Sequence, residues 1–97
     1  MREYEVTIIL QPQLDEEARE ALIQRVGELL APEAEEDAKP VVNHWGTRQL
    51  AYPIHKFTEG YYVLYETKIA PERVREIERN MQYTEDILRY LVVRKEE

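Results

Sequence analysis

Apolar and polar residues alternate almost from the first position of this chain. Tyr4, Val6, Ile8 and Leu10 fall on one side of an extended backbone, with Glu5 and Thr7 opposite. A period of two predicts a half-buried strand. Gln11-Pro12-Gln13 breaks it. Asp15 can cap a helix whose first turn holds Glu16 and Glu17, where carboxylates meet the positive end of the helix dipole. Ala18, Leu22, Val26 and Leu29/Leu30 then recur at helical spacing until Ala31-Pro32. After an acidic connection over 33–39, residues 41–51 predict a second strand with a bulge or bend near Trp45-Gly46. Pro53 limits how far its ladder continues. Residues 55–59 predict a polar turn and 60–69 a third strand. Ala70-Pro71 opens a second helix with Pro at a favourable first position, and Val74, Ile77 and Met81 form its apolar stripe. Residues 87–93 predict the last strand.

Strand, helix, strand, strand, helix, strand is the α+β order of a ferredoxin-like split βαβ fold. It implies a four-stranded antiparallel sheet with both helices on one face, as a single domain over 1–97. Two helices cover one face only. The expected covered residues are Tyr4, Val6, Ile8 and Leu10, joined by Tyr62, Leu64, Tyr90 and Val92. The open face is then expected to carry Ile9, Tyr61, Val63, Tyr65, Leu91 and Val93. A contiguous apolar patch of that kind marks a binding surface unless something, such as the 33–39 loop, shields it. A glycine leading the aromatic run "TEGYYVLYE" has the layout of a strand on which RNA bases stack. Three features argue against that use. Glu59 stands before Gly60 where a basic residue is wanted, bulky Tyr62 follows Tyr61, and Glu5 would face any phosphate.

Charge and composition narrow the chemistry. The net charge of −7 opposes unaided binding to nucleic acid. Residues 1–37 carry eleven acids and three bases, whereas 38–97 carry nine acids and ten bases, so an anion-binding surface must come mainly from the second part and Arg2. Serine and cysteine are absent, which removes the commonest nucleophiles and any disulfide. His44 and His55 lack the spacing of a metal site, and the three glycines build no phosphate-cradling loop. Neither catalysis nor a cofactor, metal or small-molecule substrate is expected. No apolar stretch is long enough to span a membrane, and Met1-Arg2-Glu3-Tyr4 runs straight into the first strand. No membrane association or signal peptide is expected, and the expected compartment is the cytoplasm.

The densest stretch is 44–56, "HWGTRQLAYPIHK", which places Trp45, Arg48, Tyr52, His55 and Lys56 together without an acid. Trp and Arg are common anchors of protein interfaces, and Arg and Lys also take phosphate. With "MREYEVTIIL" at one end and "DILRYLVVRK" at the other, "WGTRQLAYPIHK" closely resembles the bacterial small-subunit ribosomal protein S-six family over essentially the whole chain. The resemblance implies a ribosomal component that binds small-subunit ribosomal RNA, in its central domain, together with a small basic partner, ribosomal protein S-eighteen. It implies RNA-binding residues Arg2, Arg48, Lys56, Arg89, Arg94 and Lys95. Partner-binding residues would be Trp45 and Arg48, by the resemblance, with Tyr61, Val63 and Leu91 of the expected open face. Thr47 and Gln82 stand where many members carry basic residues, which implies greater reliance on the partner. A ferredoxin-like ligand-sensing or self-assembling regulatory module is the alternative, because that fold hosts many functions.

Overall fold

The computed structural model describes residues 2–32 and 39–95. Its elements follow the order β1 (Arg2–Leu10), α1 (Glu16–Leu30), β2 (Val41–Ile54), β3 (Phe57–Ile69), α2 (Val74–Gln82) and β4 (Ile87–Arg94). The strands form one antiparallel sheet in the order β2-β3-β1-β4. This is the expected split fold, with the first and last strands side by side in the sheet. The Asp15 carboxylate accepts the Ala18 N–H at 2.7 Å and so fixes the start of α1. Pro71 opens a single 3₁₀ turn, Pro71–Arg73, which leads into α2.

Tyr4, Val6, Ile8 and Leu10 of β1 are buried beneath Leu22, Ile23, Val26 and Leu30 of α1 and Ile77 and Met81 of α2. Ala18, at the head of the expected stripe, is exposed, and Ile23 takes up the core contact instead. Side-chain hydrogen bonds from two residues, Tyr65 and Arg73, hold α1 in place. The buried Tyr65 hydroxyl donates to the Ile23 carbonyl at 2.7 Å. Burial raises the Tyr65 phenol above its ordinary pKa, and Glu20 adds to the rise. Arg73 donates to the Leu29 and Leu30 carbonyls at 2.9 and 3.3 Å, satisfying acceptors that the last turn of α1 leaves open.

The faces of β3 are the reverse of those expected. Val63 and Tyr65 are fully buried under the helices, followed by Thr67 and Ile69, while Tyr62 and Leu64 are half-buried on the other side. The register gives the reason: Val6, Ile8 and Leu10 pair with Tyr65, Val63 and Tyr61. Cross-strand partners share a face, so β1 commits the odd-numbered residues of β3 to the core. Tyr90 and Val92 of β4 pack against the core as expected. On the open side, Ile9, Tyr62, Leu64, Leu91 and Val93 replace the expected set. Shielding of this face by the 33–39 loop falls, for 33–38, outside the described residues.

The β2–β3 hairpin is longer and tighter than its composition suggests. Only His55 and Lys56 form the turn, both at positive φ (49° and 72°), as a two-residue hairpin whose twist matches its strands requires. Pairing jumps from Gln49↔Glu59 to Ile54↔Phe57, so four residues of β2 oppose Thr58 alone. Pro53 lies inside this irregularity, where the ladder is already interrupted.

Candidate functional site

The open face can be read in rows across the sheet. Gly46, Tyr62, Ile9 and Arg89 make one row, and Asn43, Leu64, Thr7 and Leu91 the next. Val41, Glu66, Glu5 and Val93 make the third. Tyr62, Ile9, Leu64 and Leu91 thus make its centre largely apolar, with Thr7 and Asn43 among them, and its two ends carry opposite charge.

At the cationic end, local backbone geometry sets the side chains. A bulge in β2 falls between His44 and Gly46, and Gly46 adopts φ +83°, a conformation that other residues seldom take. Trp45, at the bulge, remains 44% exposed, and the Arg48 guanidinium lies over its ring at 5.2 Å. Arg48 pairs with Gly60, whose missing side chain leaves room for Ile9 and Leu50. Past the second irregularity, Tyr52 reaches over to β4, and the Arg89 guanidinium lies over its ring at 5.1 Å. Because β2 and β4 are the two edge strands, this contact folds the hairpin arm across the end of the sheet. Both arginines are thus held over aromatic rings with N–H groups still available to an anion.

At the opposite end Glu5 and Glu66 face each other across β1 and β3. Lys95 meets this acidic pair. Its Nζ lies 3.2 Å from Glu66 Oε1, and its backbone N–H donates to the Glu3 carbonyl at 2.9 Å. The hydrogen bond that Lys95 donates to Glu66, together with the charges of Glu66, Glu5 and Glu3, raises the Lys95 pKa.

The structure accordingly divides the sequence-predicted residues. Trp45, Arg48, Arg89 and Leu91 share the open face. Lys56 occupies the exposed hairpin tip. Lys95 is on the open face but held by Glu66. Arg94, opposite Tyr4, and Arg2, two residues before Tyr4, fall on the helix side of the sheet at its acidic end. Val63 and Tyr61 do not belong to the open face. Val63 is fully buried, and Tyr61 packs under α1, with Arg19 4.2 Å above its ring and its hydroxyl 3.0 Å from His44 Nδ1. Both follow from the register that places them beside Ile8 and Leu10. Tyr52, part of the 44–56 stretch but not among the expected binding residues, joins the site through Arg89, and Arg48, Leu50 and Tyr52 carry a readable alternation.

Among the described residues no group of His, Cys, Asp or Glu could hold a metal, and no helix is long and apolar enough to cross a membrane. The sequence profile of the family described as ribosomal protein S6 matches residues 3–94. The chain is 44% identical over 93 residues to the small ribosomal subunit protein bS6 of Clostridioides difficile, covering 96% of this chain and 98% of that one. It is 45% identical over 96 residues to the protein of the same name from Clostridium novyi, covering 99% of each. The crystal structure of the 30S ribosomal protein S6 from Thermotoga maritima matches with a TM-score of 0.84 at 33% identity, over 97% of this chain and 87% of that one. The fold, the hairpin with its signature stretch and both edges of the open face all lie inside these matches. The chain therefore belongs to the ribosomal protein S6 family, as a non-catalytic protein of the small ribosomal subunit in the cytoplasm.

Proposed function

We propose that this subunit protein binds the central domain of small-subunit ribosomal RNA jointly with ribosomal protein S-eighteen, using the cationic end of its open face. The observation that carries this reading is the pair of stacked arginines, Arg48 on Trp45 and Arg89 on Tyr52, on a face whose far end is acidic. A guanidinium already fixed over a ring loses little freedom on taking a phosphate and can offer two parallel N–H donors. Trp45, Leu91 and the apolar centre supply the desolvated surface that a protein companion needs. Arg48 lies where RNA and companion can share it, and Lys56 extends the cationic edge at the hairpin tip.

Electrostatics makes the companion necessary. A molecule of net charge −7 approaches a polyanion against its own field, and a basic partner offsets that field at the contact. Lys95 contributes little to phosphate binding in this reading because Glu66 occupies it. Arg2 and Arg94 meet RNA only where it wraps past the helix side.

Filter binding with the pure protein, its partner and central-domain RNA tests the proposal. At physiological salt the expected result is weak binding by this chain alone and tight binding by the pair. Lone binding as tight as that of the pair would refute cooperative recognition.

A further inference from the structure

The two edge strands of the sheet are protected to very different degrees. β4 carries Arg89 and Arg94 near its ends, and charges of this kind discourage another chain from pairing with an exposed edge. β2 has no such guard in its first half. Residues 41–47, Val-Val-Asn-His-Trp-Gly-Thr, contain no Asp, Glu, Lys, Arg or Pro. Among the described residues β2 pairs only with β3. Val41, Val42 and Trp45 are 56%, 37% and 44% exposed, so this stretch presents apolar side chains beside a backbone edge that no other described strand pairs.

From this edge we infer that a second copy of the chain pairs along β2, antiparallel, with the twofold axis at Asn43. That register sets Asn43 against its own copy, Val42 against His44 and Val41 against Trp45. Each pairing is uncharged or joins a β-branched residue to an aromatic or imidazole ring, the kind of cross-strand pair that favours association. The contact is isologous and closes on itself, so it stops at a dimer with one continuous eight-stranded sheet. The bulge between His44 and Gly46 ends regular pairing at Trp45 on one side, and Pro40 ends it on the other. Salt strengthens the dimer, because screening weakens the repulsion between two copies of charge −7 while leaving the uncharged ladder intact. The inference does not rest on RNA or companion binding, and it is tested without either.

Sedimentation velocity on the full chain, from about 1 µM to about 1 mM, brackets the weak affinity expected of an interface below about 1,200 Å². A rising dimer fraction is expected, larger at high salt, and Asn43→Lys should abolish it by setting two ammonium groups face to face. The absence of native cysteine allows a second readout. Directly opposed residues lie within disulfide reach, so Asn43→Cys should oxidise to a covalent dimer at least about tenfold faster than Val41→Cys. In the latter the two thiols sit four residues apart along the strands, about 13 Å. A single monomeric species at every concentration and salt would overturn the inference. So would cross-linking of Val41→Cys as fast as Asn43→Cys, or an Asn43→Lys protein that still dimerises.

Discussion

Neighbouring residues of β3 occupy different environments although their side chains are much alike. Val63 and Tyr65 lie fully inside, under two helices and beside Ile8 and Val6, while Leu64 and Tyr62 remain half-buried on a face that the helices leave open. Hydrophobicity does not separate the two sets. What separates them is cover: α1 and α2 supply Leu22, Ile23, Val26, Leu30, Ile77 and Met81 to one side only. The comparison shows how a small sheet can have both a core and an exposed apolar surface. The open side keeps an apolar centre with stacked arginines at one end and carboxylates at the other. The same alternation thus serves stability on one face and leaves its reverse free for the recognition proposed above.

The widest gap between the faces should appear in unfolding. Ile8→Ala removes a fully buried side chain and should cost about 2–5 kcal/mol. Leu64→Ala, half-buried on the open side, should cost about 1 kcal/mol or less. Urea titration of both variants measures this directly. Equal losses would mean that the open face is as tightly packed as the core, and the contrast would fail.

Gly60 tests how closely the open face is built. A Cβ there would collide with Ile9 Cγ2, so Gly60→Ala should destabilise by about 1–3 kcal/mol through overpacking. Ile9→Ala removes the colliding methyl. The double variant should therefore be more stable than the sum of the single losses predicts, by roughly 0.5 kcal/mol or more. Simple additivity would place the cost of Gly60→Ala elsewhere than in that contact.

The element order, the Asp15 cap, the stripe of α2 and the buried side of β1 were all legible, because each is a local pattern with one clear period. The faces of β3 were not, because residues 61–65 are apolar on both sides. The signal lay further along the strand. Glu66 and Lys68 mark the even positions as outward, and Thr67 and Ile69 mark the odd ones as inward. Carrying the alternation to Ile69 would have placed Tyr61 and Val63 in the core. Trp45 and Arg48 were legible as a site through the bend at Gly46. The Tyr52–Arg89 contact was not, since it joins residues far apart in sequence across two intervening strands. Nor was the two-residue turn, because His55-Lys56 lacks the glycine or asparagine that usually signals positive φ.

Arg48→Glu separates recognition from stability. The side chain is exposed over Trp45, so unfolding should shift by under about 0.5 kcal/mol. If the proposed function holds, assembly with RNA and the companion should weaken by about tenfold or more, equivalent to about 1.4 kcal/mol, since the proposed phosphate contact would become a repulsion. Arg89→Glu should behave alike. A variant that unfolds readily and binds normally would place Arg48 on the structural side of the comparison.

Lys95→Met should have the smallest effect, and it probes the acidic end. Glu66 raises the Lys95 pKa in the folded chain. Any stability this gives is fully present below the ordinary lysine pKa and lost as pH rises through the raised one. The group is solvent-exposed and its ion pair with Glu66 is screened. At neutral pH the variant and the parent should therefore unfold together within fitting error, with any remaining advantage of the parent confined to pH below that alkaline window. The same variant measured in the RNA assembly carries more weight. If Glu66 already occupies the ammonium, Lys95→Met should bind like the parent while Arg48→Glu does not. Equal loss from both would mean that phosphate draws Lys95 away from its carboxylates, and the RNA-facing surface would then run the full length of the sheet instead of stopping at its cationic end.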